Sequence, residues 1–110
     1  MAFTPYHNVT GSTGVDVELI APGNNSGSIK SILITNTHAT ADATVTLFIE
    51  DNPTAAAASI FKILSTVAIP SDTSLLLDNS SVLSFDNSSN GFGLYVTVGS
   101  SDTLDIMINI

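Results

Sequence analysis

The 110-residue chain has no cysteine and no tryptophan, and its only basic side chains besides two histidines are Lys30 and Lys62. Without cysteine there is no disulfide scaffold, thiolate metal site or cysteine nucleophile. Two lysines do not form a patch that neutralises phosphates, so the sequence predicts no nucleic-acid partner. Apolar runs stay well below about eighteen residues, so it predicts no membrane partner either.

Charge of either sign is scarce, but the balance is acidic. Ten acids against two lysines give a net charge of −8, and charged residues are only 11% of the chain while hydrophobic residues are 44%. Disordered chains combine low hydrophobicity with high charge, so this composition predicts a folded domain. The length corresponds to one domain. Serine, threonine and asparagine clusters separate the apolar runs and indicate turns.

Apolar and polar residues alternate along most of the chain, which is typical of half-buried strands. The clearest case is the C-terminal run, where Leu104, Ile106 and Ile108 alternate with Asp105 and Met107. Seven strands are predicted, near 15–20, 28–36, 42–50, 60–69, 73–78, 92–98 and 103–110. An eighth is predicted over 82–85, through Val82, Leu83 and Phe85.

Short strands separated by turn signals predict an all-β fold, a single β-sandwich of seven to eight antiparallel strands. Seven strands would suit an immunoglobulin-like sandwich and eight a jelly roll, and periodicity does not choose between them. The sandwich domain is assigned to 15–110. Residues 1–14 lack clear alternation; they are assigned to an extended N-terminal arm that lies on a neighbouring subunit, with a short edge strand or a loosely packed tail as the alternative. Phe3, Tyr6 and His7 in this arm are the candidate contact with a neighbouring subunit.

The chain carries no recognisable catalytic pattern. His7 and His38 are its only histidines, and both are expected in loops or in the arm. There is no nucleophile elbow, dinucleotide fingerprint or zinc pattern, and the acids of 50–52 and of 78 with 86–87 do not match calcium-loop spacing. The sequence therefore predicts no enzyme, no cofactor and no metal.

The predicted surface is neutral and rich in small polar residues, which suits large repeated contacts in an assembly. Two lysines and Pro70 offer little protection for exposed sheet edges, so either loops or a partner would cover them. The net charge of −8 would keep free subunits soluble and would disfavour contact with DNA. The surface therefore predicts a homo-oligomer.

The chain also resembles a known group of proteins. The segment 30–50, KSILITNTHATADATVTLFIE, is similar to a strand–loop–strand unit in small all-β virion structural proteins of tailed phages, especially those of marine cyanobacteria. The segments 61–70, 73–78, 83–86 and 93–96 and the last strand extend the resemblance over residues 28–110. The resemblance implies a structural role without an active site, with other virion proteins, such as a major capsid protein or tail proteins, as partners.

These observations lead to one expected function and two alternatives. The first expectation is an exterior capsid decoration (cement) protein that stabilises a phage head. The first alternative is a tail, neck or fibre component of the same virion, and both would be located in the virion. The second is a surface- or carbohydrate-binding immunoglobulin-like module, for which exposed aromatic residues such as Tyr95 would stack on sugars.

Overall fold

A computed structural model of the chain describes residues 5–12, 15–23, 29–51, 59–88 and 91–110. These residues form eight strands and one helical turn. The strands are β1 (Tyr6–Thr10), β2 (Val17–Ile20), β3 (Ser31–Asn36), β4 (Ala43–Asp51), β5 (Ile60–Ile69), β6 (Ser74–Leu77), β7 (Phe92–Val98) and β8 (Thr103–Asn109), and the helical turn α1 is Ser80–Leu83. The predicted all-β sandwich is confirmed.

The strands form two four-stranded antiparallel sheets with jelly-roll connectivity. Sheet A has the order β1-β8-β3-β6 and sheet B the order β2-β7-β4-β5. The first strand pairs with the eighth, the second with the seventh, the third with the sixth and the fourth with the fifth. This is the pattern of one long hairpin folded over itself, as in an eight-stranded jelly roll, and it differs from the immunoglobulin strand order.

The core lies between the two sheets; its fully buried members among the described residues are aliphatic, and the partly buried Phe85 packs against them. Branched side chains suit it because they pack well on a pleated surface. Removing them from water is the main favourable contribution to folding. The buried core residues are Val9, Leu19, Ile20, Ile29, Ile32, Ile34, Ala43, Val45, Leu47, Ile69, Leu83, Leu94, Val96, Val98, Leu104, Ile106 and Ile108.

Two buried asparagines hold loops against the sandwich through hydrogen bonds to the backbone. The Nδ2 of Asn36 donates to the carbonyls of Ala41 (2.8 Å) and Ile69 (2.9 Å), and its Oδ1 accepts from the backbone N–H of His38 (3.0 Å). Asn87 donates to two backbone carbonyls in the same manner, Ala21 and Phe92. These amides satisfy backbone groups that would otherwise be buried without partners.

The edges of both sheets are protected by their own geometry. The edge strands β1, β2 and β6 have five, four and four residues. The fourth edge, β5, has ten residues but pairs with β4 through two irregularities, and Thr66 there has a φ of +51°. Short and bulged edges discourage pairing with other chains. The described strands therefore do not require a partner along their edges.

The seven strands predicted from alternation are all present, with bounds shifted by a few residues. The predicted strand over 82–85 is wrong, because residues 80–83 form the helical turn α1. Asn79 caps this turn, since its side chain accepts a hydrogen bond from the N–H of Ser81 at 3.1 Å. The local cap therefore prevails over the strand propensity of the apolar residues that follow.

The eighth strand comes instead from the segment interpreted as an arm. Residues 6–10 of that segment form β1, which pairs with β8 of the same chain from Tyr6↔Met107 to Thr10↔Thr103. The backbone N–H of Ile108 also donates to the carbonyl of Pro5 at 2.8 Å. Residues 1–4, 13 and 14 of the segment lie outside the described residues.

Candidate functional site

The outward surface of sheet A is the candidate site, and we call it the sheet A face. It is formed by every second residue of four strands, because neighbours along a strand point to opposite sides of the sheet. Its members are Tyr6, Asn8 and Thr10 of β1, Thr103, Asp105, Met107 and Asn109 of β8, Ser31, Leu33 and Thr35 of β3, and Ser74 and Leu76 of β6.

One row of large apolar side chains crosses the whole sheet A face. Tyr6 lies opposite Met107, Met107 opposite Leu33, and Leu33 opposite Leu76. The exposed fractions are 69% for Tyr6, 43% for Met107 and 55% for Leu76, whereas Leu33 at the centre is half-buried. Contiguous exposed apolar residues are typical of interaction surfaces, so this row makes the sheet A face the candidate site.

The rows beside this apolar row are polar and already hydrogen-bonded within the sheet. The amide of Asn8 donates to Asp105 Oδ1 at 2.7 Å. The hydroxyls of Thr35 and Ser74 lie 2.8 Å apart, and those of Thr10 and Thr103 lie 3.1 Å apart. Because these groups have partners before binding, covering them leaves few unsatisfied donors or acceptors.

Two of the three residues predicted to contact a neighbour lie in the described part of the chain. Tyr6 is on the sheet A face, where it lines a shallow depression of about 450 Å³ with Asn8, Asp105 and Met107. His7 follows it in β1, lies opposite the buried Ile106 and is half-buried, and it lines the same depression. Phe3 lies outside the described residues. The structure therefore brings Tyr6 and His7 to one depression at the edge of sheet A.

The outward surface of sheet B has a different character. One row across it reads Glu18, Tyr95, Phe48 and Lys62. The two rings stack with centroids 5.8 Å apart and planes at 20°, and each residue is only 5% exposed. Tyr95 points away from the core, as the alternation predicts, but it is not available to stack on a sugar.

This second surface carries several acidic side chains, and their burial, hydrogen bonds and mutual repulsion shift pKa values there. The hydroxyl of Tyr95 donates to Glu18 Oε2 at 3.1 Å, and burial, followed by this bond, raises the pKa of Tyr95 to about 12. Burial is the largest cause that raises the pKa of Glu50 above its usual value, and the negative charges of Asp16 and Asp51 raise it further. The sheet A face carries only one charged residue in the described strands, Asp105. The acids are therefore distributed unequally between the two surfaces.

The described residues hold no group of three or more histidine or acidic side chains placed to bind a metal. Asp86 is one of the acids considered above as a calcium ligand. Its carboxylate accepts a hydrogen bond from the N–H of Ser88 at 3.1 Å, and this bond lowers its pKa. Asn87 is used within the fold, and Asn52 lies outside the described residues. Among the helices described, none is long and apolar enough to cross a membrane.

Comparison of the chain with protein-family models, curated proteins and solved structures finds no significant match.

Proposed function

We propose that the chain is a non-enzymatic structural protein of a virion, and that it decorates the exterior of a phage head. The observation that carries this proposal is the sheet A face, a nearly neutral surface crossed by the row Tyr6, Met107, Leu33 and Leu76. Its shape and chemistry suit contact with another protein surface of the decorated shell, including a neighbouring copy of this chain, because apolar side chains lie at its centre and satisfied polar groups surround them.

The proposed mechanism is mechanical. A small rigid sandwich that binds across contacts between capsid subunits adds buried surface, and this opposes the outward pressure of packaged DNA. The described edges are short or bulged, so the sandwich can reach high local concentration without edge-to-edge pairing. The chain's net charge of −8 keeps unbound copies soluble and directs them away from DNA.

The test is antibody labelling of the intact parent virion together with copy number from quantitative mass spectrometry. Many copies spread over the head would support the decoration function. A few copies at the tail or neck would overturn it in favour of a tail, neck or fibre subunit, since closed rings need few copies. No virion signal would overturn the structural role altogether.

A carbohydrate- or surface-binding module is the second candidate, and Tyr6 is the observation that favours it. Its ring is 69% exposed beside Asn8 and Asp105, which is a suitable arrangement for stacking on a sugar and bonding its hydroxyls. A glycan array tests it with the natural chain and the variant Tyr6→Ala. Saccharide binding that is lost in the variant would support this candidate, whereas absence of binding would remove it.

A further inference from the structure

We infer that the sheet A face binds the same face of a second copy of this chain. The two copies would be related by a twofold axis that lies between the packed faces, parallel to the strands and centred between β8 and β3. Sheets that pack face to face keep their strands within about 30° of each other, so this axis describes an ordinary sheet-on-sheet contact.

The register of sheet A makes this arrangement self-complementary. The axis exchanges the two edges of the sheet, so that Tyr6 lies over Leu76 of the second copy and Met107 lies over its Leu33. Each apolar residue of the row therefore meets an apolar residue. The exposed fraction of the row is largest at its two ends, Tyr6 and Leu76, and smallest at Leu33. The side chain of Met107, which lies over Leu33 in this arrangement, is flexible and fills irregular gaps well.

The polar row beside it is also complementary in this arrangement. Asp105 meets Thr35 of the second copy, and Asn8 meets its Ser74. A carboxylate thus faces a hydroxyl that can donate to it, and the two copies of Asp105 do not face each other. This contact is isologous, as twofold contacts are, because each pair of residues occurs twice.

Charge explains why a second copy would use this face and not the other. Each copy carries a net charge of −8, so self-association is opposed wherever acids meet. The sheet A face has the single charge of Asp105, which already accepts a hydrogen bond from Asn8. The outward surface of sheet B carries three acids, Asp16, Glu18 and Glu50, against the single base Lys62, so packing it on its own copy would bring an excess of like charge into the contact, which costs affinity.

The size of the face indicates a weak dimer. Four strands about 4.8 Å apart and five residues of about 3.3 Å each give roughly 300 Å² of flat area per copy. The two copies together would contribute roughly 600 Å² of flat area, which is below the about 1,000 Å² expected of a stable specific interface, so we expect a transient dimer with a Kd on the order of 0.1 mM. The biological role of this dimer rests on the proposed function. Many copies held on one shell have a high effective concentration, and weak contacts between them then form.

Sedimentation equilibrium of the purified chain up to about 1 mM, at 0.15 M salt, tests the dimer. Met107→Glu and Ile60→Glu form a matched pair, because Met107 is 43% and Ile60 50% exposed, one on each sheet. Each new glutamate lies beside an acid of its own sheet, Asp105 or Glu50, and Ile60 also shares a depression with Asp16 and Lys62. We expect Met107→Glu to weaken dimerisation at least about tenfold and Ile60→Glu to leave it unchanged. Circular dichroism checks that both variants fold.

Chemical cross-linking tests the axis, since the chain has no cysteine of its own. Sheets that pack face to face lie about 10 Å apart, whereas a disulfide needs Cα atoms within about 7 Å, so the thiols are joined with a short bis-maleimide reagent. A mixture of the Tyr6→Cys and Leu76→Cys variants is expected to form a cross-linked heterodimer. Either variant alone is not, because like positions would be separated by three strand spacings, about 14 Å along the sheet, in addition to the distance between the sheets.

Several outcomes would overturn the inference. They are a monomer at every concentration, equal weakening by both glutamate variants, or cross-linking of Tyr6→Cys with itself in place of the mixture. If the purified chain is a monomer but Tyr6 is protected from solvent when the chain is bound to virions, the sheet A face contacts another virion protein and not a second copy. A dimer without any virion signal would instead leave the inference standing and remove the proposed function.

Discussion

The ring of Phe48 stacks on the ring of Tyr95 on the outward surface of sheet B, with centroids 5.8 Å apart. The two residues lie directly opposite each other on β4 and β7, and each is only 5% exposed although neither faces the core. The pair therefore forms a small second hydrophobic cluster outside the sandwich interior.

The variant Phe48→Ala tests how much this cluster contributes to stability. We expect a loss of about 3 kcal/mol in the free energy of unfolding, because a buried aromatic ring is removed and the face of Tyr95 becomes exposed. Urea denaturation measures this loss. Phe61→Ala is the control, since Phe61 is 60% exposed and its loss is expected to cost much less. Equal losses in the two variants would contradict the role given to the stack.

The ionisation of Tyr95 gives a second prediction. Its pKa is raised to about 12 by burial and by the hydrogen bond to Glu18. The unfolded phenol ionises near 10, so folding favours the neutral form. Stability from this group is fully present below about pH 10 and is lost as pH rises toward 12.

Absorbance at 295 nm measures this titration. A step near pH 12 that disappears in Tyr95→Phe is the expected result. The same variant should also lose less stability than the natural chain between pH 10 and 11. A step that survives the substitution would show that another group causes it.

The buried Asn36 gives a third prediction. Asn36→Leu leaves the carbonyls of Ala41 and Ile69 and the N–H of His38 without their side-chain partner. We expect a loss of about 3 kcal/mol or more in the free energy of unfolding, because buried unsatisfied groups are costly. Urea denaturation checks it against Asn109→Leu, an exposed position in β8 where about 0.5 kcal/mol or less is expected.

Thr66 gives a prediction of increased stability. Its φ of +51° is unfavourable for a β-branched residue. Its backbone N–H donates to Thr46 Oγ1 at 3.0 Å, and glycine at this position would keep that hydrogen bond. We expect Thr66→Gly to stabilise the fold by about 0.5–1 kcal/mol, net of the entropy that glycine loses. Thermal unfolding measures it, and Ser65→Gly, next to it in β5, should lower Tm. A lower Tm in both variants would refute the prediction.

The strands of the sandwich could be predicted because their signal is local. The residues of β8 alternate in sequence, and the same residues alternate between buried and exposed in the structure. β1 gives a weaker signal, because Val9 is its only buried side chain and Tyr6 is exposed on the other side. Its place is decided by pairing with β8, almost a whole chain away, so local alternation does not reveal it.

The row on the sheet A face could not be predicted for the same reason. Met107 interrupts the polar side of its strand, and Leu33 looks like part of a strand buried on both sides. Only the register of β8 with β3 brings these two exceptions together. The sequence does indicate Tyr6, but as part of an arm. The complete row depends on four strands whose relative positions are set by long-range packing.

The pairing of β1 with β8 also has a consequence for synthesis. β1 leaves the ribosome before every other strand of the sandwich, yet its only neighbour in sheet A is the last strand to be made. The surface that joins Tyr6 to Met107 and Leu33 therefore does not exist before β8 has been made. If this surface is the one used for assembly, the fold itself ensures that only copies whose eighth strand has been made are incorporated.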